Sequence, residues 1–247
     1  MLIDLHAHSH LSKGCDLNPA QVLQRASTFG IDGVAFTETN TQDGFEELLE
    51  LSAKSKVKVF VGLELITDKG QYLCFFPQPE RAPEPVQVWG SNREKPWSAL
   101  ECLPKIKSLG AAVIAARPYD RDFEYPAGDF ILTLPNLSAV EAYNPKVRQT
   151  ANDLAAEAAD SLHLPCTGGS DARSSLEEVG RAATLFKRSI ETQVDLVNAL
   201  LGRDYWPVMI GDLPKLARPG EAQEGRRDTG RRRRKGNRGR PGWKSQS

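Results

Sequence analysis

Three of the four histidines in this chain fall within its first ten residues, in DLHAHSH from Asp4 to His10. Two imidazoles one residue apart share a face of a strand, because side chains alternate between faces. His6 and His8 can therefore offer two nitrogens to one metal ion, or they can be two hydrogen-bonded histidines at a strand end. Strict alternation puts Asp4, His6 and His8 on one face and Ile3, Leu5 and Ala7 on the other. Glu64 sits inside the apolar run FVGLELI, where an unpaired carboxylate is costly. It shares its parity with Phe60 and Gly62, so all three can face one interior. Asp171 follows an apolar segment and the pair Gly168–Gly169, again a strand-end position. His6, His8, Glu64 and Asp171 thus form a candidate metal site of nitrogen and oxygen ligands. His10 lies past the strand end and reads as a loop residue. His163, in SLHLP, reads as a surface residue at a helix C-terminus.

These side chains need a scaffold of alternating strands and helices. Leu2–His8, Gly33–Glu38, Val57–Ile66, Tyr72–Phe76, Ala111–Ala116, Ser138–Tyr143, Pro165–Gly169 and Arg181–Phe186 read as strands. Helices are expected over Pro19–Phe29, Asp43–Ser55, Trp97–Leu109, Lys146–Leu162 and Thr192–Leu201. Asn18 is the expected N-cap of the first, with Pro19 at its first position. The DKG sequence at 68–70 reads as a tight turn. The alternation argues for an α/β fold with a parallel sheet, and the strand count suits a closed barrel. Barrel enzymes build their sites at strand C-termini, where the four candidate ligands fall.

Five prolines between Pro77 and Pro96 mark a surface loop within the barrel domain, expected over residues 1–212. The remainder, 213–247, is rich in glycine and arginine and has almost no apolar residues, so it is expected to be a disordered basic tail. From Arg218 onward there are 11 Lys/Arg against 3 Asp/Glu, leaving 21 basic and 29 acidic residues before it. The net charge of zero therefore hides an acidic body and a basic tail. Arg231, Arg232, Arg233, Arg234 and Lys235 are the candidate contact to nucleic-acid phosphates, nonspecific because no sequence-reading motif accompanies them. A solvated tail folding back on the acidic body is the alternative. The four cysteines show no CxxC pairing, which argues against a disulfide framework or a cysteine-rich zinc site. With no signal peptide or membrane-spanning run, a soluble cytoplasmic protein is expected, without membrane contact.

In order along the chain, DLHAHSHLSKG, GIDGVAFTETNT, VGLELIT, AARPYDR, VEAYNPK and GGSDAR resemble the motifs of the polymerase and histidinol phosphatase (PHP) superfamily of metal-dependent phosphoesterases. The resemblance implies a distorted, mainly seven-stranded β/α barrel with two or three metal ions at the strand C-termini. It groups His6, His8, Glu64 and Asp171 around one metal position and sets Glu141 and Asn144 near it. Four positions depart from the pattern. Thr39, Arg117 and Arg173 stand where histidines are usual, and Gln71 follows Gly70 where Gly-His is frequent. Threonine is a poor ligand, and arginine stays protonated and cannot coordinate metal. One divalent ion (Zn, Mn or Fe) at most is therefore expected, rather than two or three.

Two readings follow. In the first, the chain is a phosphoesterase with a reduced site, acting on a nucleotide, a nucleic acid or a small phosphorylated metabolite. Arg117 and Arg173 then hold phosphate oxygens, and Asp16 and Glu38 are candidates for proton transfer. In the second, the barrel has lost catalysis and serves as a phosphate- or nucleic-acid-binding module. Either arginine can equally be a salt-bridge partner of Glu64, Asp171 or Glu141.

Overall fold

The computed structural model describes residues 1–85, 88, 96–135 and 137–211. Most of the proline-rich segment from 86 to 95 and the basic tail with Arg231–Lys235 lie outside the described residues.

Most strands are short and largely apolar, and the helices bury apolar residues on one side. In chain order the elements are β1 (Leu2–Ala7), α1 (Pro19–Thr28), β2 (Gly33–Thr39), α2 (Phe45–Lys54), β3 (Lys58–Thr67) and β4 (Gly70–Phe75). They continue with α3 (Ala99–Ser108), β5 (Ala112–Ala116), β6 (Ala139–Tyr143), α4 (Gln149–Ser161), β7 (Cys166–Gly168), β8 (Ala182–Phe186), α5 (Gln193–Gly202) and β9 (Tyr205–Met209). Asn18 caps α1 as expected, its side chain accepting from the N–H groups of Ala20 and Gln21. Thr192 caps α5 in a reciprocal box with Asp195.

The nine strands of the described residues form one sheet in the order β7-β6-β5-β4-β3-β2-β1-β8-β9. The sheet curls until its ends nearly meet. β8 pairs with the first half of β1, while the segment after β7 runs parallel to the second half, bridging Ala7 to Ala172. Two hydrogen bonds fasten that seam, from Asp171 N to His6 O and from His8 N to Ala172 O. Thr184 Oγ1 adds a further link, accepting from Gly168 N and donating to Gly168 O.

The expected parallel sheet needs correction at three strands. β4 is antiparallel to β3 and β5, because the Asp68–Lys69 link is too short for a crossover. β8 is antiparallel to β1 and β9 to β8. β9 itself was not expected: Pro207 interrupts its pattern, and proline is accommodated because β9 ends the strand order.

The barrel interior has an apolar layer below and a polar layer above. Ile3, Leu5, Ala35, Phe60, Leu73, Phe75 and Ile114, drawn from five strands, pack together and against Leu196, Val197 and Leu200 of α5. A second cluster packs Ala7, Val34 and Phe36 against α1. Ile3 and Leu5 therefore face inward and Ala7 outward, against strict alternation. The cause is a shift of register in β1 between Asp4 and Ala7, where three steps on β1 match two on β2. The irregularity turns both Leu5 and His6 toward the interior. Among the described residues no helix is long and apolar enough to cross a membrane.

Candidate metal and phosphate site

At the C-terminal ends of the strands the interior changes from apolar to polar. His6, His8, Glu64, Glu141 and Asp171 are all essentially inaccessible to solvent. Glu64 follows Phe60 and Gly62 on the inward face of β3, and Glu141 follows Ala139 on β6. Asp171 is brought in by the two glycines before it. A Cβ on Gly169 would come within 2.5 Å of His6 Cβ, so only glycine lets this segment lie against β1. Asp171 itself has left-handed backbone at φ 50°, as do Arg117 at 38° and Asn40 at 57°, three strained positions just past strand ends.

His6 Nε2 lies 3.4 Å from Glu64 Oε1 and 3.6 Å from Asp171 Oδ1. His8 Nε2 lies 3.5 Å from Asp171 Oδ1 and 3.7 Å from Glu64 Oε2. Donor atoms on a tetrahedral ion with bonds of about 2.1 Å stand about 3.4 Å apart, so this spacing suits one small divalent cation. His6 Nε2, Glu64 Oε1 and Asp171 Oδ1 are moreover buried without a hydrogen-bond partner among the described residues. Buried orphans of this kind are rare, and three converging on one point fit a cation. His6, His8 and Asp171 also meet as a ligand group by distance alone. The orienting contacts are present. His6 Nδ1 is 2.8 Å from Glu141 Oε1, and Glu141 Oε2 accepts from Asn144 Nδ2 at 3.1 Å. That arrangement turns His6 Nε2 inward.

The four departing residues bind one another and the ligands. Arg117 donates through Nε and Nη2 to Gln71 Oε1, and its Nη1 lies 2.8 Å from Asp171 Oδ2. Arg173 Nη2 donates to His8 Nε2 at 2.8 Å and to Glu64 Oε2 at 2.9 Å, and its Nη1 donates to Thr39 Oγ1 at 3.1 Å. Thr39 Oγ1 in turn donates to Glu64 Oε2 at 2.8 Å. The salt-bridge alternative for both arginines is thus realised.

Electrostatics follow from this packing. Burial alone would push His6 down, but Glu141 and Asp171 outweigh it and hold His6 up at about 10, so a metal ion on Nε2 takes the place of a proton there. Burial pushes His8 down to about 4, with Glu64 offsetting part of the shift and Arg173 adding to it. Burial opposes ionisation of Glu64 and Asp171, yet the histidines and guanidiniums beside them hold both well below the usual carboxylate range.

Among the described residues neither proton-transfer candidate contacts the four ligands directly, although Glu38 is linked to His8 through Ser12. Asp16 is exposed on the β1–α1 loop, with no hydrogen bond or ion pair to the cluster among the described residues. Glu38 shares the parity of Val34 and Phe36, which face α1, so it points away from the interior. Its carboxylate is already occupied, accepting from Ser9 N, Ser9 Oγ and Ser12 Oγ.

Ser12 and Glu178 emerge only from the structure, and Asp4, noted beside His6 in the sequence, gains its role there. Ser12 joins Glu38 to His8, its Oγ lying 3.2 Å from His8 Nδ1 while accepting from Thr39 N. Asp4 clamps the seam by accepting from the N–H groups of His6, Ser170 and Gly180. Glu178 accepts from the N–H groups of Arg173 and Ser174, fixing the loop that carries Arg173. Ser12 falls four residues after His8 in the first motif, which was the available signal for it; Glu178 had none.

Comparison with known proteins agrees with this geometry. The PHP domain model matches residues 4–127, half of the chain, and the PHP-associated model matches residues 149–204. An uncharacterised protein of Methanocaldococcus jannaschii is 32% identical over 154 residues, covering 58% of this chain and 82% of that one. A phosphoribosyl 1,2-cyclic phosphate 1,2-diphosphodiesterase of Eggerthella lenta is 38% identical over 100 residues, 38% of either chain. Among solved structures, a two-domain protein from Bacteroides vulgatus containing a predicted PHP-like metal-dependent phosphoesterase superposes with a TM-score of 0.65 at 16% identity, over 85% of this chain and 64% of that one. A lesion-specific endonuclease from Pyrococcus furiosus superposes with a TM-score of 0.57 at 18% identity, over 83% and 57%. The order of the motifs, the nearly closed barrel and the matched family model agree: this chain belongs to the PHP domain family.

Proposed function

We propose that the chain is a phosphoesterase with a reduced metal site, taking one divalent ion on His6, His8, Glu64 and Asp171 and substrate phosphate on Arg117 and Arg173. The observation that carries this reading is the convergence of three buried atoms that lack a hydrogen-bond partner among the described residues, His6 Nε2, Glu64 Oε1 and Asp171 Oδ1. A divalent ion bound there supplies Lewis acidity and a water of lowered pKa. Glu141 orients His6, and Ser12 orients His8. Arg117 is fixed by Gln71 and Arg173 by Thr39, so each guanidinium is held for a phosphate oxygen. Two similar proteins are a phosphodiesterase and an endonuclease, which favours a phosphodiester substrate. The free cysteines suit a reducing, cytoplasmic setting.

The test is hydrolysis of bis(p-nitrophenyl) phosphate by chain stripped with EDTA and reloaded with Mn²⁺, Zn²⁺ or Fe²⁺. Turnover should return with one ion per chain. Stoichiometric metal without turnover on this or on p-nitrophenyl phosphate would favour the second reading, a binding barrel. That reading is favoured by the ion pairs of Arg117 and Arg173 with the cluster's own carboxylates, which balance charge without any ion.

We also propose that the segment 213–247 adds nonspecific nucleic-acid affinity through Arg231, Arg232, Arg233, Arg234 and Lys235. Removing Arg218–Ser247 should weaken binding to nucleic acid at low salt and leave the melting transition unchanged. Equal binding by both chains would discard this contact.

A further inference from the structure

We infer that Arg173 is a tethered cation that competes with the metal ion for His8, so that loading the ion releases Arg173 toward the mouth of the site. The inference rests on the one-ion reading above and concerns how that site is regulated.

Ser12 Oγ donates to Glu38 and accepts from Thr39 N, so its remaining lone pair faces His8 Nδ1 at 3.2 Å. His8 Nδ1 therefore carries the hydrogen, and Nε2 has a single lone pair to offer. Arg173 Nη2 uses it at 2.8 Å. A ligand bond and this hydrogen bond need the same electron pair, so they exclude each other. Glu64 divides in the same way. Oε2 accepts from Arg173 and Thr39, while Oε1 is free and faces His6. The cluster thus holds three atoms without a hydrogen-bond partner on the His6 side, where an ion takes the place of the His6 proton, and a fourth, His8, closed by a guanidinium.

Arg173 has somewhere to go. Its side chain is 26% exposed, whereas both partners are at 0%. Its backbone N–H is held by Glu178, so the loop stays while the side chain swings. Arg117 differs: its contact is with Asp171 Oδ2, the oxygen turned away from His6, and it blocks no ligand lone pair. Once released, the Arg173 guanidinium is available to an oxyanion. Metal and phosphate affinities are then linked, each raising the other by the same factor.

The test reads displacement directly, in the full chain. Phenylglyoxal modification of Arg173, followed by peptide mass spectrometry, should accelerate when Mn²⁺ is added to the metal-free protein. In equilibrium dialysis, Arg173→Ala should bind Mn²⁺ roughly tenfold more tightly or better, the equivalent of one charge-assisted hydrogen bond removed from competition. Arg117→Ala removes the same charge but frees no ligand, so its gain should be smaller. Equal gains in the two variants would mean simple charge repulsion and would overturn the inference. An unchanged Arg173 reactivity with metal bound would overturn it too, leaving the one-ion reading intact and requiring no variant to fold. Absence of Mn²⁺ binding in both parent and Arg173→Ala would remove the inference and the one-ion reading together.

Discussion

Arg117 Nη1 lies 2.8 Å from Asp171 Oδ2, and both residues hold left-handed backbone, at φ 38° and 50°. The pair joins the end of β5 to the end of β7 across the mouth of the barrel. Arg117→Ala leaves Asp171 buried beside one cation fewer. It should cost about 3 kcal/mol in urea unfolding, the lower end for breaking a buried pair because Arg117 keeps some solvent contact. Phosphate should raise the melting temperature of the parent chain, and this variant should lose most of that shift. A full phosphate shift in Arg117→Ala would show that the anion binds elsewhere.

Asp171→Asn separates charge from shape. Asparagine tolerates left-handed backbone, so the strand end should keep its course while losing a carboxylate ligand. Metal bound per chain, measured by elemental analysis after dialysis, should fall below one-tenth of the parent value (roughly the loss expected for a removed ligand). Full occupancy in this variant would sink the ligand assignment.

Combining Thr39→His, Arg117→His and Arg173→His should do the opposite. It supplies imidazoles at three strand-end positions and removes the two guanidiniums that balance Glu64 and Asp171. Histidine is among the residues that tolerate the backbone of position 117. More than one ion per chain is expected, with modest turnover at best, because contacts around the new ligands are not rebuilt. Unchanged metal content would leave Arg117 and Arg173 as structural partners only.

Acid stability should depend on Glu178. Partial burial opposes its ionisation, but the N–H groups of Arg173 and Ser174 and the Lys146 ammonium at 2.9 Å hold its pKa below the usual value. A depressed folded pKa contributes stability above the unfolded pKa, about 4.3, that is lost as pH falls through the folded value. Glu178→Gln should therefore be less stable than the parent at neutral pH and converge on it in acid. Urea midpoints between about pH 6 and 3 would show this; parallel curves would contradict it.

The amino-acid sequence by itself determined which residue types could do chemistry and roughly where. HxH at positions 6 and 8, a carboxylate inside the apolar run of β3 and the Gly-Gly-Ser-Asp segment are local patterns, and their order carries the resemblance. Strand periodicity alone put Glu64 inward, because β3 is regular. The same rule failed on β1, where the register shift between Asp4 and Ala7 turned Leu5 inward beside His6. A register shift depends on the neighbouring strand, so one strand's pattern does not reveal it. The antiparallel placing of β8 and the existence of β9 likewise depend on pairing between distant segments. Asp16 and Glu38 were close in sequence to the right loops, yet one faces solvent and the other is held by Ser9 and Ser12. The partners of Arg117 and Arg173 were decided only by tertiary structure. A guanidinium can reach many carboxylates along a chain, and only the closing of the barrel brings Asp171 to one and Glu64 and His8 to the other.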